Sequence, residues 1–333
     1  MTQTNISARR HWCFLCLLIL AAGAAAQELP TILQVDVENW VGYASDVTDS
    51  SKVAKTPGTL TNTPQANFGE WVQLADVIAI NGSPARGAMI LRTFGVQLTP
   101  NPQPGQAIAD VSRTSAAEFR WEFLKPDGTQ IGSIYVMALS GGSPSPGSPQ
   151  GAATGSGAIV GGTGAFVGAR GTMNSARSAL RATSQAEDPS MRRINGGGTG
   201  RFLFQIFPLA RPEVVVTADG LSVFHADFSL VTAERFAKPG ETLTLYAKGL
   251  GPTSPTLNPG DPFPNEPLAV ATSPIEVLVD GRATPAINQV GVPGTTDTYR
   301  IDFLVPDTTA TGMIPIQLSA AWFKGGAVRI PVQ

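Results

Sequence analysis

Apolar and polar positions alternate with a period of two along much of the chain. Leu33, Val35 and Val37 alternate with Gln34, Asp36 and Glu38, and Phe119, Trp121 and Phe123 alternate with Arg120, Glu122 and Leu124. Successive side chains of a strand point to opposite faces, so each run predicts a half-buried strand. The second run meets the turn signal Pro126-Asp127-Gly128 and resumes from Ile131 to Leu139. Residues 118–139 therefore read as a β-hairpin with one aromatic face. Further strands are predicted over 70–80, 87–98 and 200–207. The Gly/Ser/Pro/Ala stretch Ser140–Gly157 reads as a flexible loop. Ser175–Arg193 is the one stretch with helical potential; Pro189 interrupts it, and an exposed loop is the alternative reading.

The texture changes near Leu209-Ala210-Arg211-Pro212. Short strand-like runs follow, among them Val214–Val216, Ser222–Val231, Thr242–Ala247, Ile275–Val279, Tyr299–Val305, Ile314–Ala320 and Val328–Val332. Turn residues such as Pro239-Gly240, Asp280-Gly281 and Pro293-Gly294 separate them. Many short strands with regular turns are the pattern of a β-sandwich. In Tyr299–Val305 the inward set is Tyr299, Ile301, Phe303 and Val305, with Arg300 and Asp302 outward. The predicted class is all-β: an N-terminal antiparallel β-barrel over 27–209, then an immunoglobulin-like β-sandwich over 210–333.

Composition supports this class. The 333 residues include 36 Gly and 27 Pro, which excludes a helical bundle, and only 14 % are charged. The net charge of −2 has no basic excess, so no nucleic-acid partner is expected. Residues 1–26 read as a signal peptide: Arg9-Arg10, an apolar run from Trp12 to Ala22, and Ala24-Ala25-Ala26 as the cleavage pattern. The expected location is secreted or periplasmic, with no membrane span after cleavage. Cleavage removes both cysteines and His11, leaving His225 as the sole histidine and a net charge of −4.

Two stretches resemble known families. Phe224-His225-Ala226-Asp227, the run from Lys238 through Tyr246 to Thr253, Pro274–Gly281, Tyr299–Pro306 and the terminal Ile330-Pro331-Val332 carry the first. Over about 213–333 they resemble an uncharacterised C-terminal domain of exported acidobacterial proteins, which implies an immunoglobulin-like sandwich and supplies no catalytic residues to carry over. The second is carried by Gly155 to Thr172, with Gly161-Gly162-Thr163-Gly164, Phe166 and Gly168-Ala169-Arg170-Gly171. It resembles the penultimate hairpin of allene-oxide-cyclase-like barrels, which include the dirigent proteins. That resemblance implies a barrel that binds a small apolar substrate or steers a radical coupling; the acids of its plant members do not map onto this chain.

Few chemistries survive the residue inventory. Gly162-x-Gly164 lacks the third glycine and the following helix of a dinucleotide loop. No Gly-x-Ser-x-Gly elbow accompanies His225, and one histidine does not make a zinc site. His225 is expected to be structural or partner-facing. No catalytic, cofactor-binding or metal residue is assigned, and a calcium site among Asp261, Asp280 and Asp297 has no loop pattern behind it. Asp36 with Glu38, and Glu118 with Glu122 around Arg120, share strand faces. Such acids are the solvated side of a strand unless the barrel turns that face inward, which the sequence leaves open. The candidate ligand contacts are Arg170, Glu118, Arg120 and Glu122. The expected function is a non-enzymatic exported binding or cell-envelope interaction module. The alternatives are a dirigent-like barrel that binds or isomerises a small hydrophobic ligand, and a protein that binds a cell-surface glycan.

Overall fold

The computed structural model describes residues 29–46, 68–97, 113–141, 156–185, 187–258 and 260–333. They are all-β, with no α-helix among them. The N-terminal strands are β1 (Thr31–Asp46), β2 (Phe68–Ile80), β3 (Ser83–Gln97), β4 (Arg113–Leu124), β5 (Gln130–Gly141), β6 (Ser156–Gly164), β7 (Arg170–Ala179), β8 (Arg181–Ser184) and β9 (Gly198–Phe207). Eight of them follow the order β2-β3-β4-β5-β6-β7-β9-β1, and β1 pairs again with β2. Every pair in this circuit is antiparallel, so the sheet closes into a barrel and has no free edge within it. β8 lies outside the circuit and pairs in parallel with Val41–Ala44 of β1.

The stretch 175–193 is neither a helix nor a plain loop. It holds the end of β7, then β8, then a single 3₁₀ turn at Pro189–Met191. Pairing decides this: β7 bonds to β6 on one side and β9 on the other, and the barrel cannot close without it. A long-range ladder overrides a weak helical propensity. Most of the expected loop at 140–157 lies outside the described residues, and its two ends belong to β5 and β6.

One end of the barrel, the base, carries the short turns. Asn81-Gly82 joins β2 to β3 with φ of 52° and 80°. Both positions are left-handed, which Asn and Gly adopt most readily, and this turn matches the twist of a hairpin. Asp127 accepts the N–H of Thr129 at 2.8 Å in the turn from β4 to β5. Residues 165–169 turn β6 into β7, as the glycine-rich hairpin predicts.

The second sheet begins at Glu213 and follows the path Glu213–Val214, Thr242–Lys248, Tyr299–Leu304, Arg282–Gly291, Ile275–Val279, Gly312–Ala320, Phe323–Val332. It wraps as a sandwich around its own core, in which Leu243, Leu245, Ala247, Ile301, Phe303 and Val305 are fully buried. The sheet is nearly closed: a Cβ on Gly325 of the last strand would stand 1.8 Å from the Pro212 carbonyl oxygen beside the first.

The sandwich also completes the barrel. Phe166, in the turn from β6 to β7, is 1 % exposed. Its ring lies 5.5 Å from Phe123 inside the barrel and 5.9 Å from Phe323, which it meets edge-on. Phe323 follows the two-residue turn Ala321-Trp322 of the sandwich. Ala321 and Phe323 belong to the barrel's hydrophobic cluster, and Trp322 packs on it. Ala321 and Trp322 have φ of 47° and 68°. Left-handed backbone costs roughly 1–2 kcal/mol per non-glycine residue, and apolar burial against the barrel offsets it. Arg211 braces the junction, donating to Thr31 Oγ1 at 3.4 Å and to the Lys324 carbonyl at 3.1 Å. Residues 31–333 form one compact unit.

Phe166→Ala should lower the unfolding free energy by about 3–5 kcal/mol in urea denaturation. Arg170→Ala, four residues on and exposed, should change it by no more than about 0.5 kcal/mol. A Phe166→Ala protein as stable as the parent would contradict the packing at the base.

Candidate functional site

Strand alternation fixes which side chains enter the barrel. Toward the base the registers bring Val35, Val77, Met89, Trp121, Ile134 and Phe204 together, all buried. Trp121 stands at the centre, 4.8 Å from Phe202 and 5.2 Å from Phe204, each edge-on. Its indole N–H has no hydrogen-bond partner. This half of the lumen is filled.

Away from the base the inward set changes character. Trp71 and Gln73 of β2, Thr93 of β3, Phe119 of β4 and Ala138 of β5 are only half-buried. Small residues face them: Ala117, Gly157 and Gly42. Gly42 is enclosed, since a Cβ there would touch Leu180 at 3.3 Å and Trp71 at 3.5 Å. Trp40 Nε1 donates to Gln73 Oε1 at 2.9 Å. Phe119 stacks on Trp121 with centroids 6.4 Å apart and planes 6° apart. Away from the base, the inner face is thus formed by Trp71, Gln73, Thr93 and Phe119, with Phe119 lying on Trp121. None of the inward residues Trp71, Gln73, Thr93, Ala117, Phe119, Trp121, Ile134, Val136 and Ala138 carries an acid or a base.

The acids and bases picked out from sequence sit elsewhere. Glu118, Arg120 and Glu122 lie on the outer face of β4, opposite the face of Phe119, Trp121 and Phe123. Arg120 and Glu122 approach to 3.7 Å with side chains 53 % and 35 % exposed, a pair worth no more than about 1 kcal/mol. Arg170 is exposed at the base. Asp36 also faces out and pairs with Arg201 at 2.6 Å, and Glu38 is exposed. His225 is buried in the sandwich. Its Nδ1 lies 2.6 Å from Glu241 Oε1 and its Nε2 lies 3.3 Å from the Arg235 carbonyl oxygen. Glu241 Oε2 accepts the N–H of Lys238 at 2.9 Å. The ring thus staples the 238–241 turn to residue 225, and both nitrogens are engaged. Among the described residues no three His, Cys, Asp or Glu side chains could hold a metal ion together.

A polar cluster that no sequence spacing announces fastens the wall near the mouth. Glu187, 1 % exposed, receives Arg181 Nη2 at 2.6 Å, Arg181 Nη1 at 3.0 Å and Thr183 Oγ1 at 3.0 Å. Asp76 of β2 receives Arg192, both Arg193 donors at 2.8 Å and Asn39 Nδ2 at 3.0 Å. Together these bonds tie β8 and the return to β9 over the outside of β1 and β2. Tyr43 of β1 is buried in the cluster, and burial, then the charge of Glu187, push its hydroxyl pKa up. No family model matches the chain, and no curated protein or solved structure is significantly similar to it.

The Arg181 hydrogen bonds hold the Glu187 carboxyl well below its usual 4.5, at about 2. A lowered carboxyl pKa stabilises the fold above the unfolded value, and the benefit is lost as pH falls through the folded value. The stability difference between the parent and Glu187→Gln should therefore shrink by about 3 kcal/mol between pH 6 and pH 2. Urea melts across that range read it directly. A difference independent of pH would contradict the buried pair.

Proposed function

We propose that this chain is an exported, non-enzymatic binding module whose barrel mouth takes a small, neutral, apolar ligand. The supporting observation is the inward face: half-exposed Trp71 and Phe119 beside Gln73 and Thr93, with Asp36, Asp76, Glu118, Arg120 and Glu122 on the outside. Apolar walls with a few neutral polar groups are the usual lining of a small-molecule site. The resemblance of 155–172 to allene-oxide-cyclase-like barrels agrees with a lumen that holds an apolar molecule. Isomerisation by acid–base steps would need a group that moves a proton, and Glu118, Arg120 and Glu122 do not point into the lumen. A glycan platform has less support. Trp40 and Trp121 are buried and Trp71 and Trp322 half-buried, so none of the four is fully exposed.

Titration with the neutral fluorophore N-phenyl-1-naphthylamine tests the reading. One saturable site with a blue-shifted emission is expected. Thr93→Trp, which fills the mouth, should weaken binding by about tenfold or more, the loss of roughly 1.4 kcal/mol, while keeping the parent's cooperative melt. Non-saturable binding, or the same affinity in the folded variant, would contradict it.

A further inference from the structure

A cavity lies where the barrel base meets the sandwich. It has a volume of about 260 Å³ and is formed by the β6–β7 turn, the 208–212 connection and the sandwich loops at 249–251, 273 and 297. Three observations mark it. Ser273 is fully buried, yet its hydroxyl oxygen has no hydrogen-bond partner. Gly251, with φ of 89°, lets Ser273 and the barrel turn come close: a Cβ there would stand 2.7 Å from Ser273 Oγ and 3.5 Å from the Ala165 Cα. Leu209 and Val167, on the cavity wall, are 74 % and 57 % exposed.

The polar atoms on offer specify the ligand's chemistry. Asp297 is the only charged residue in the lining. It is exposed at the rim, and its Oδ1 accepts the N–H of Gly249 at 3.2 Å, leaving Oδ2 to face outward from that bond. The unused atoms are thus a carboxylate oxygen and a hydroxyl oxygen, both able to accept. An ammonium group has donors and no acceptor, and an anion would be repelled by Asp297. Ala165, Leu209 and Phe323 supply apolar walls for the rest of the molecule. We propose that this cavity is a binding site for a small amphiphilic amine, with its ammonium at Asp297 and its apolar body between the barrel turn and Leu209. The site is independent of the barrel mouth. An occupant would bridge both sheets, because Phe323 and Ala320 of the sandwich also line the cavity.

The test uses the full chain and two probes of matched shape, phenethylamine and neutral 2-phenylethanol, followed by calorimetric titration. The amine should bind at one saturable site at least tenfold more tightly than the alcohol. Asp297→Asn keeps the acceptor for Gly249 and should remove that preference. Thr93→Trp, at the mouth, should leave amine binding unchanged, so failure of the mouth reading is distinguishable from failure of this one. Absence of saturable amine binding, equal binding of the alcohol, an unchanged preference in Asp297→Asn, or loss of amine binding in Thr93→Trp would each overturn the assignment.

Discussion

The contact of Phe166 with Phe323 is the constraint on which the rest of this structure depends. A barrel of eight strands has two open ends, and an aromatic core exposed at either end is costly in water. Here the base is covered twice, by Phe166 from the barrel's own hairpin and by the Ala321–Phe323 turn of the sandwich. The turn sits in left-handed backbone without Asn or Gly. Such a conformation persists where surrounding packing over-determines it. The sandwich is therefore not a spacer attached to a finished barrel; it supplies part of the barrel's core.

Sealing the base gives the barrel a direction. The lumen grades from fully buried Trp121, Phe123 and Phe204 near the plug to half-exposed Phe119, Thr93 and Trp71 away from it. The second region is the less buried of the two. The Glu187 and Asp76 clusters brace the wall at that level from outside. Glu118, Arg120 and Glu122 likewise stand on the outer face of β4.

Period-two alternation made most of the strands legible, because a half-buried strand must alternate. It placed Phe119, Trp121 and Phe123 on one face, and Tyr299, Ile301 and Phe303 on another, as the structure has them. The glycine-rich hairpin with its buried Phe166 was readable for a similar reason, since tight turns restrict composition. Other features depend on distant partners. Alternation cannot tell inside from outside, so Glu118, Arg120 and Glu122 stood open as lumen residues until the barrel closed. Residues 175–193 carry weak local preferences, and β7 and β8 form because β6, β9 and β1 need partners. The Ala321-Trp322 turn has no turn signature because tertiary burial, not local propensity, holds it.

A double-mutant cycle on the plug tests the central claim most directly. Phe166→Ala, Phe323→Ala and the double variant would be compared by urea denaturation, with tryptophan fluorescence and far-ultraviolet circular dichroism as separate probes. The account predicts a coupling of about 1 kcal/mol or more between the two rings, and one cooperative transition by both probes. Effects that add to within about 0.3–0.5 kcal/mol, or two separate transitions in the parent, would show that the sandwich does not complete the barrel.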